Sequence, residues 1–226
     1  MGSGGAVAQR GGGSLTREQF LMREMRIVAD LRVRDLSDEE IADLVKRDNL
    51  FQYPTAREIT SKLRACLCRL NAAGPELAEL IARGSAEQAA QTNLYTMMRV
   101  YHLVLRFMLE EIGARLASYD FSLTRGDVGA FLTRYQDRYV EDGWAESTQK
   151  KLRGVLFSVL AGAGFLASPR SSDLHPVLLD PAVEAGIRRN GDAVLLAAFG
   201  GSYEQRIPDA ASCISRAASS ATGVSE

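Results

Sequence analysis

The chain has 226 residues, 46% of them hydrophobic and 24% charged, which is enough for one medium domain or two small ones around a real apolar core. Its 27 basic and 28 acidic residues leave a net charge of -1, which excludes attraction to polyanions by overall charge and leaves nucleic-acid binding to local patches. Three cysteines, with Cys66 and Cys68 on different sides of any helix containing both, imply a reducing, cytoplasmic compartment without a disulfide framework.

The opening "MGSGGAVAQRGGGS" is too glycine-rich and too weakly apolar for a signal peptide, and residues 1–15 are expected to be a flexible leader. Helix starts follow as a Ser or Thr three residues before a Glu or Gln, a spacing in which each side chain satisfies a free backbone amide. "TREQ" (16–19), "SDEE" (37–40), "TARE" (55–58) and "SAEQ" (85–88) fit. From the first, Phe20, Leu21, Met25, Val28 and Leu31 recur at helical spacing; from the second, Ile41, Leu44 and Val45 do. From the third, Ile59, Leu63, Cys66, Leu67 and Leu70 make one stripe, ended by Gly74 and Pro75. The fourth opens a long helix reaching Tyr119, apolar on several faces, as befits a central helix surrounded by others. Its run "NLYTMMRVYHLVLRFMLEEIGARL" is broken by Arg99, His102 and Arg106, which predicts a buried helix and no membrane span.

Thr124 or Asp127 caps a helix carrying Val128, Phe131, Leu132, Tyr135 and Tyr139, closed at Gly143. A further helix covers residues 147–163, Asp180 and Pro181 start another, and "DAVLLAAFG" gives a last short one stopped at Gly200 and Gly201. Phe165-Leu166 and Val177-Leu179 are strand candidates, long enough for a small β-ribbon only. Residues 202–226, rich in Ala and Ser without periodicity, are expected to be a mobile tail. The class is mainly α. The expected organisation is an N-terminal helical domain (16–84) holding a helix-turn-helix-like pair, and a C-terminal helical domain (85–201) with a winged-helix-like segment at 125–170.

On residues 147–163, Leu152, Val155, Leu156, Val159, Leu160 and Ala163 fall on one side, opposite Lys150, Lys151, Ser147, Gly154 and Ser158, with Arg153 at the edge. A preceding helix, a turn, this basic helix and the extended "FLASPR" follow the order helix, turn, recognition helix, wing, in which Arg170 reaches phosphate. A solvated face accounts for the same lysines, and Phe157 beside Lys150 predicts that another element or a partner covers part of it. Earlier, "SDEEIADLVKRDN" and "TAREITSKLRACLCRL" form a second pair around Pro54, with Arg57, Ser61, Arg64 and Cys68 opposite the apolar stripe. Acids crowd the start of this pair, and Lys46, Arg47, Arg57, Lys62, Arg64 and Arg69 crowd its end, a distribution the helix macrodipole favours without any ligand.

Signals for an enzyme are missing. There is no phosphate loop, no G-x-S-x-G elbow and no Cys/His set that closes a zinc site, so no cofactor, metal or small-molecule substrate is expected. His102 reads as a hydrogen-bonded core histidine, His175 precedes Pro176 without a nearby nucleophile, Cys66 is core, and Cys68 lacks a metal partner.

The tract with Trp144, Thr148, Lys151, Leu152, Gly164 and Leu166, "W-x-x-x-T-x-x-K-L" leading to "G-x-L", resembles the BrxA family of bacteriophage exclusion (BREX) systems. Asn49-Leu50, Thr55 and the basic helix ending Arg69-Leu70 are similar to that family's N-terminal half, and the likeness covers about residues 16–200. The resemblance implies an all-helical, NusB-like protein with helix-turn-helix elements that binds double-stranded DNA, has no catalytic activity, and acts alongside other BREX subunits, among them the methyltransferase and ATPase. It transfers no contact residues. The expected contacts therefore come from the helical projection: Arg57, Arg64, Lys150, Lys151, Arg153 and Arg170 for phosphate, and Ser61, Ser147, Thr148 and Gln149 for further polar contacts. Two rivals stay open, a scaffold whose basic faces dock acidic partner subunits and an RNA-binding protein of the antitermination type.

Overall fold

Capping chemistry decides where most of the helices begin. The computed structural model describes residues 12–200, so the expected tail at 202–226, the third cysteine Cys213 and the first eleven residues of the leader lie outside the described residues. Ser37 and Glu40 form a reciprocal capping box ahead of α2 (Asp38–Arg47), Ser85 and Gln88 do so ahead of α5 (Ala86–Val100), and Thr124 and Asp127 ahead of α8 (Arg125–Tyr139). The Thr55 hydroxyl accepts from the Glu58 amide to start α3 (Ala56–Ala73). Pro75 opens α4 (Pro75–Arg83), and Pro181 opens α10 (Pro181–Arg189) behind the Asp180 cap. Among the described residues the fold is mainly α, with isolated bridges in place of strands. None of the described helices is long and apolar enough to cross a membrane.

The first capping signal, "TREQ", does not start a helix. Residues Gly12–Thr16 form a 3-10 turn whose Leu15 is buried, and α1 (Met22–Val33) begins only after Leu21, which stands in the left-handed region at φ 52°. The cause lies in α3. The fully buried Arg69 guanidinium donates to the carbonyls of Glu18, Gln19 (2.8 Å) and Phe20 (3.1 Å), and Asn93 also donates to Phe20 (2.6 Å). Carbonyls held by Arg69 and Asn93 are withdrawn from a helical ladder.

The long central helix is likewise interrupted. At Tyr101 the backbone turns extended (φ −116°, ψ 109°), and the chain resumes as α6 (His102–Phe107), a π-helical turn (Met108–Gly113) and α7 (Ala114–Ala117). The break turns the Tyr101 hydroxyl towards Glu18, to which it donates at 2.5 Å, and towards Arg69, which donates to it at 3.2 Å and 3.3 Å. At Gly113 an added Cβ would stand 2.6 Å from the Ala197 carbonyl, so a side chain is excluded where the C-terminal 3-10 turn (Ala193–Phe199) crosses.

Two apolar clusters result. Met25, Val28, Ile41, Val45, Ile59, Leu63, Cys66 and Ile81 gather α1 to α4 into one; the second is built on α5 to α8, α9 (Glu146–Gly162) and α10. Leu15, Phe20 and Leu77 of the N-terminal half belong to the second cluster, so the two interlock. The expected ribbon is reduced to single bridges, Leu166 with Leu174 and Ser122 with Asp173. Val177–Leu179 makes no bridge because the Gln91 side chain takes its place as partner, donating to the Leu178 carbonyl (2.9 Å) and accepting from the Asp180 amide (2.8 Å).

Candidate nucleic-acid interface

Helix α9 (Glu146–Gly162) buries Leu152, Leu156, Val159 and Leu160 and leaves Ser147, Lys150 and Lys151 in solvent. Its approach is fixed by a tight turn after α8. The Gln136 side-chain oxygen Oε1 accepts from the Trp144 amide (2.7 Å) and from the Gln149 side chain (3.0 Å), and the Trp144 ring stacks on Tyr135 at 5.7 Å. Gln149 is thereby engaged inside the turn, and both it and Thr148 are half-buried. Tyr135 in turn bonds the His102 ring at 2.9 Å. Burial pushes the Tyr135 phenol up to about 12, and burial followed by the Arg106 charge lowers the His102 imidazolium. These groups stiffen the turn.

The cover over Phe157 is internal. The Arg125 guanidinium lies 4.9 Å from that ring, which is 2% exposed, and donates to the Pro169 carbonyl (3.1 Å). One residue on, Arg170 is exposed, so Arg125 ties the loop bearing Arg170 to the start of α8. Arg153 is half-buried because it reaches over Gly129 of α8, where an added Cβ would be 3.6 Å from its Nη1.

On α3, Arg57 and Arg64 are exposed and Ser61 is half-buried. With Thr60, Ala56, Ser14 and Glu18 they line a groove of about 640 Å³ between α3 and the N-terminal segment. Lys62 ties α3 to the same segment by donating to the Arg17 carbonyl. Arg69, from the same basic crowd, faces inward and cannot meet a ligand. The two basic faces do not merge, since the N-terminal 3-10 turn packs against α9 on one side and lines the α3 groove on the other.

Most cations among the described residues are already occupied. Arg23, Arg26 and Arg99 donate to backbone carbonyls, Arg115 and Arg134 converge on Glu111, and Arg188 and Arg189 pair with Glu184 and Glu76. Among the described residues, the side chains without a hydrogen bond, ion pair or ring contact are those of Arg17, Lys46, Arg57, Arg64, Lys150, Lys151, Arg153 and Arg170. Six of these are the cations picked by projection. Arg17 and Lys46 were not singled out from the sequence: Arg17 sat inside an apparent capping box, and Lys46 near a helix end where basic residues are ordinary.

Cys66 and Cys68 are free, and burial pushes the Cys66 thiol up to about 12. Among the described residues no group of His, Cys, Asp and Glu is arranged to hold a metal ion.

The residues of the two sequence tracts are largely architectural. Asn49 exchanges hydrogen bonds with the Tyr53 backbone (3.0 Å and 3.1 Å), Thr55 caps α3, Arg69 anchors the N-terminal segment, and Trp144 and Leu152 seat α9. Gly164 takes φ 87° where the chain leaves α9. Comparison with known proteins agrees. The chain is 25% identical to "BREX protein BrxA" of Bacillus cereus (strain H3081.97) over 78% of its length and 90% of that protein. It is 24% identical to "BREX protein BrxA" of Escherichia coli O9:H4 (strain HS), covering 84% and 89%. The crystal structure of an uncharacterized protein from Magnetospirillum magneticum shares the fold, with a TM-score of 0.73 at 19% identity over 83% of this chain and 96% of that one. The profile of the BrxA family matches residues 12–191, and with the match spanning that much of the sequence, the chain belongs to the BrxA family.

Proposed function

We propose that the protein is a non-enzymatic, double-stranded-DNA-binding component of a BREX anti-phage defence system. In that role it acts in the cytoplasm beside subunits such as the methyltransferase and ATPase. The observation that carries this is the set of partnerless cations. Lys150, Lys151, Arg153 and Arg170 on the α8–α9 unit, and Arg57 and Arg64 on α3, have no acid or carbonyl to satisfy them within the described residues. Phosphate oxygens supply what they lack. The fixed α8–α9 turn supports a helix that is presented rigidly, with Ser147 and Thr148 at its leading end.

The Lys150→Ala, Lys151→Ala double variant tests this. Both side chains are exposed, so folding stability should stay within about 0.5 kcal/mol of wild type. Duplex affinity should fall, and the log-log salt slope should shrink by up to about 1.8, roughly 0.9 for each phosphate contact removed. A folded variant with unchanged affinity and slope would remove α9 from the interface. A scaffold role, in which the same basic faces dock acidic surfaces of partner subunits, would be favoured if no duplex bound at low salt. Stronger competition by single-stranded RNA than by random duplex would favour the RNA-binding alternative.

A further inference from the structure

We infer that the groove between the N-terminal segment and α3 is a clamp for the phosphates of one nucleic-acid strand, and that α3 is not a base-reading recognition helix. This deepens the DNA-binding role proposed above and rests on it.

Three observations bear on how α3 meets a ligand. First, its outward face is half of a groove. Ser14 and Glu18 stand opposite Arg57, Ser61 and Arg64, Lys62 is fastened to the Arg17 carbonyl, and Ser61, in the middle of the outward face, is half-buried. A recognition helix has to enter a major groove about 12 Å wide with its flanks clear, and α3 is walled along one flank. Second, α2 would have to cross the phosphate backbone in a helix-turn-helix docking, and it carries Glu39, Glu40 and Asp43 exposed. Those acids would meet the second strand's phosphates. Third, α2 and α3 are joined by residues 48–55, with Asn49 and Gln52 in the left-handed region, a longer connection than the three- or four-residue turn of that motif.

The groove itself suits a single strand. Arg57 and Arg64 are seven residues apart, or about 10.5 Å along the helix axis at 1.5 Å per residue. Two long guanidinium side chains at that spacing can reach separate phosphates of one strand. Between them lies the Ser61 hydroxyl, without a hydrogen-bond partner among the described residues. The acid in the wall, Glu18, is 8% exposed and accepts from Tyr101, whose hydroxyl Arg69 also holds, so its charge is answered from inside the protein. A groove of cations and hydroxyls that follows a backbone reads no bases.

The test is fluorescence anisotropy with two labelled duplexes of unrelated sequence and a labelled oligo(dT) strand, comparing wild type with Arg57→Ala, Arg64→Ala. Both side chains are exposed, and a thermal melt matching wild type establishes that the variant is folded. The expected result is that both duplexes weaken by the same factor, with the salt slope reduced by about 1.8, and that the single strand weakens too, with its slope reduced by about 1.4. Arg57→Lys, Arg64→Lys should recover most of the slope, because the charges return. Unequal weakening of the two duplexes would overturn the inference in favour of base reading. An unchanged single-strand affinity would overturn it as well. Wild type that binds duplex while the double variant binds equally well defeats the clamp alone; wild type that binds no nucleic acid defeats the DNA-binding role with it.

Discussion

Replacing Arg69 by Met should unfasten the N-terminal segment, and the size of the effect follows from what the guanidinium holds. Arg69 is 0% exposed and donates to the carbonyls of Glu18, Gln19 and Phe20 and to the Tyr101 hydroxyl. In the variant Phe20 keeps its bond from Asn93 and Tyr101 keeps Glu18, but the Glu18 carbonyl loses its bond from the buried guanidinium, at about 1 to 3 kcal/mol. The Glu18 carboxylate also loses the positive charge beside it. Breaking a buried charged network from one side costs about 3 to 5 kcal/mol, and we expect the whole effect in that range. For a chain of this size each kcal/mol moves the melting temperature by about 2 to 4 °C, so Tm should fall by about 6 to 20 °C. Differential scanning calorimetry measures it, and limited trypsinolysis should show faster cleavage after Arg17. Arg69→Lys, which keeps the charge but not the planar fork, should fall between. An Arg69→Met protein melting within about 2 °C of wild type, with Arg17 as protected as before, would refute the keystone role of this side chain.

Other perturbations read out other parts of the fold. Gly113→Ala puts a Cβ 2.6 Å from the Ala197 carbonyl, a backbone atom with little freedom to yield, and should cost about 1 to 3 kcal/mol in urea denaturation; wild-type stability would show that the crossing relaxes. Gln136→Ala strips the Trp144 amide and Gln149 of their acceptor at about 1 to 3 kcal/mol, and because Trp144 is the sole tryptophan its emission should shift to the red. His102 has its pKa lowered by burial and by Arg106, so the unfolded chain takes up the proton first. Stability should therefore be complete above about pH 6.5 and decline as pH falls below it, and His102→Gln should flatten that decline. Parallel pH curves for the two proteins would assign the decline to another group.

What could be read from the sequence was what is encoded locally. The starts at Ser37, Thr55, Ser85 and Thr124 depend on partners three residues away, and the exposure of Arg57, Arg64, Lys150 and Lys151 follows from a stripe on their own helix. The departures are nonlocal. "TREQ" has the same pattern as the working caps, but Arg69, about fifty residues on, claims its carbonyls, and the demand of the same residue for Tyr101 accompanies a break in what reads as one helix. No periodicity distinguishes Arg69, which is buried, from Arg64, which is not. Likewise Phe157 on a polar face is a true signal of cover, and the cover turned out to be Arg125 of α8 and not a partner. Leu174 pairs with Leu166 where Val177–Leu179 was the candidate, because Gln91 had already engaged the latter.

The most direct measurement is the affinity of the wild-type protein for a random-sequence duplex at several salt concentrations. If the partnerless cations of α3 and of the α8–α9 unit meet phosphate, log affinity should fall linearly with log salt, with a slope of about −0.9 for each contact, so several contacts give a slope of several units. No binding at low salt, or an affinity indifferent to salt, would contradict the account and leave those cations as solvated surface.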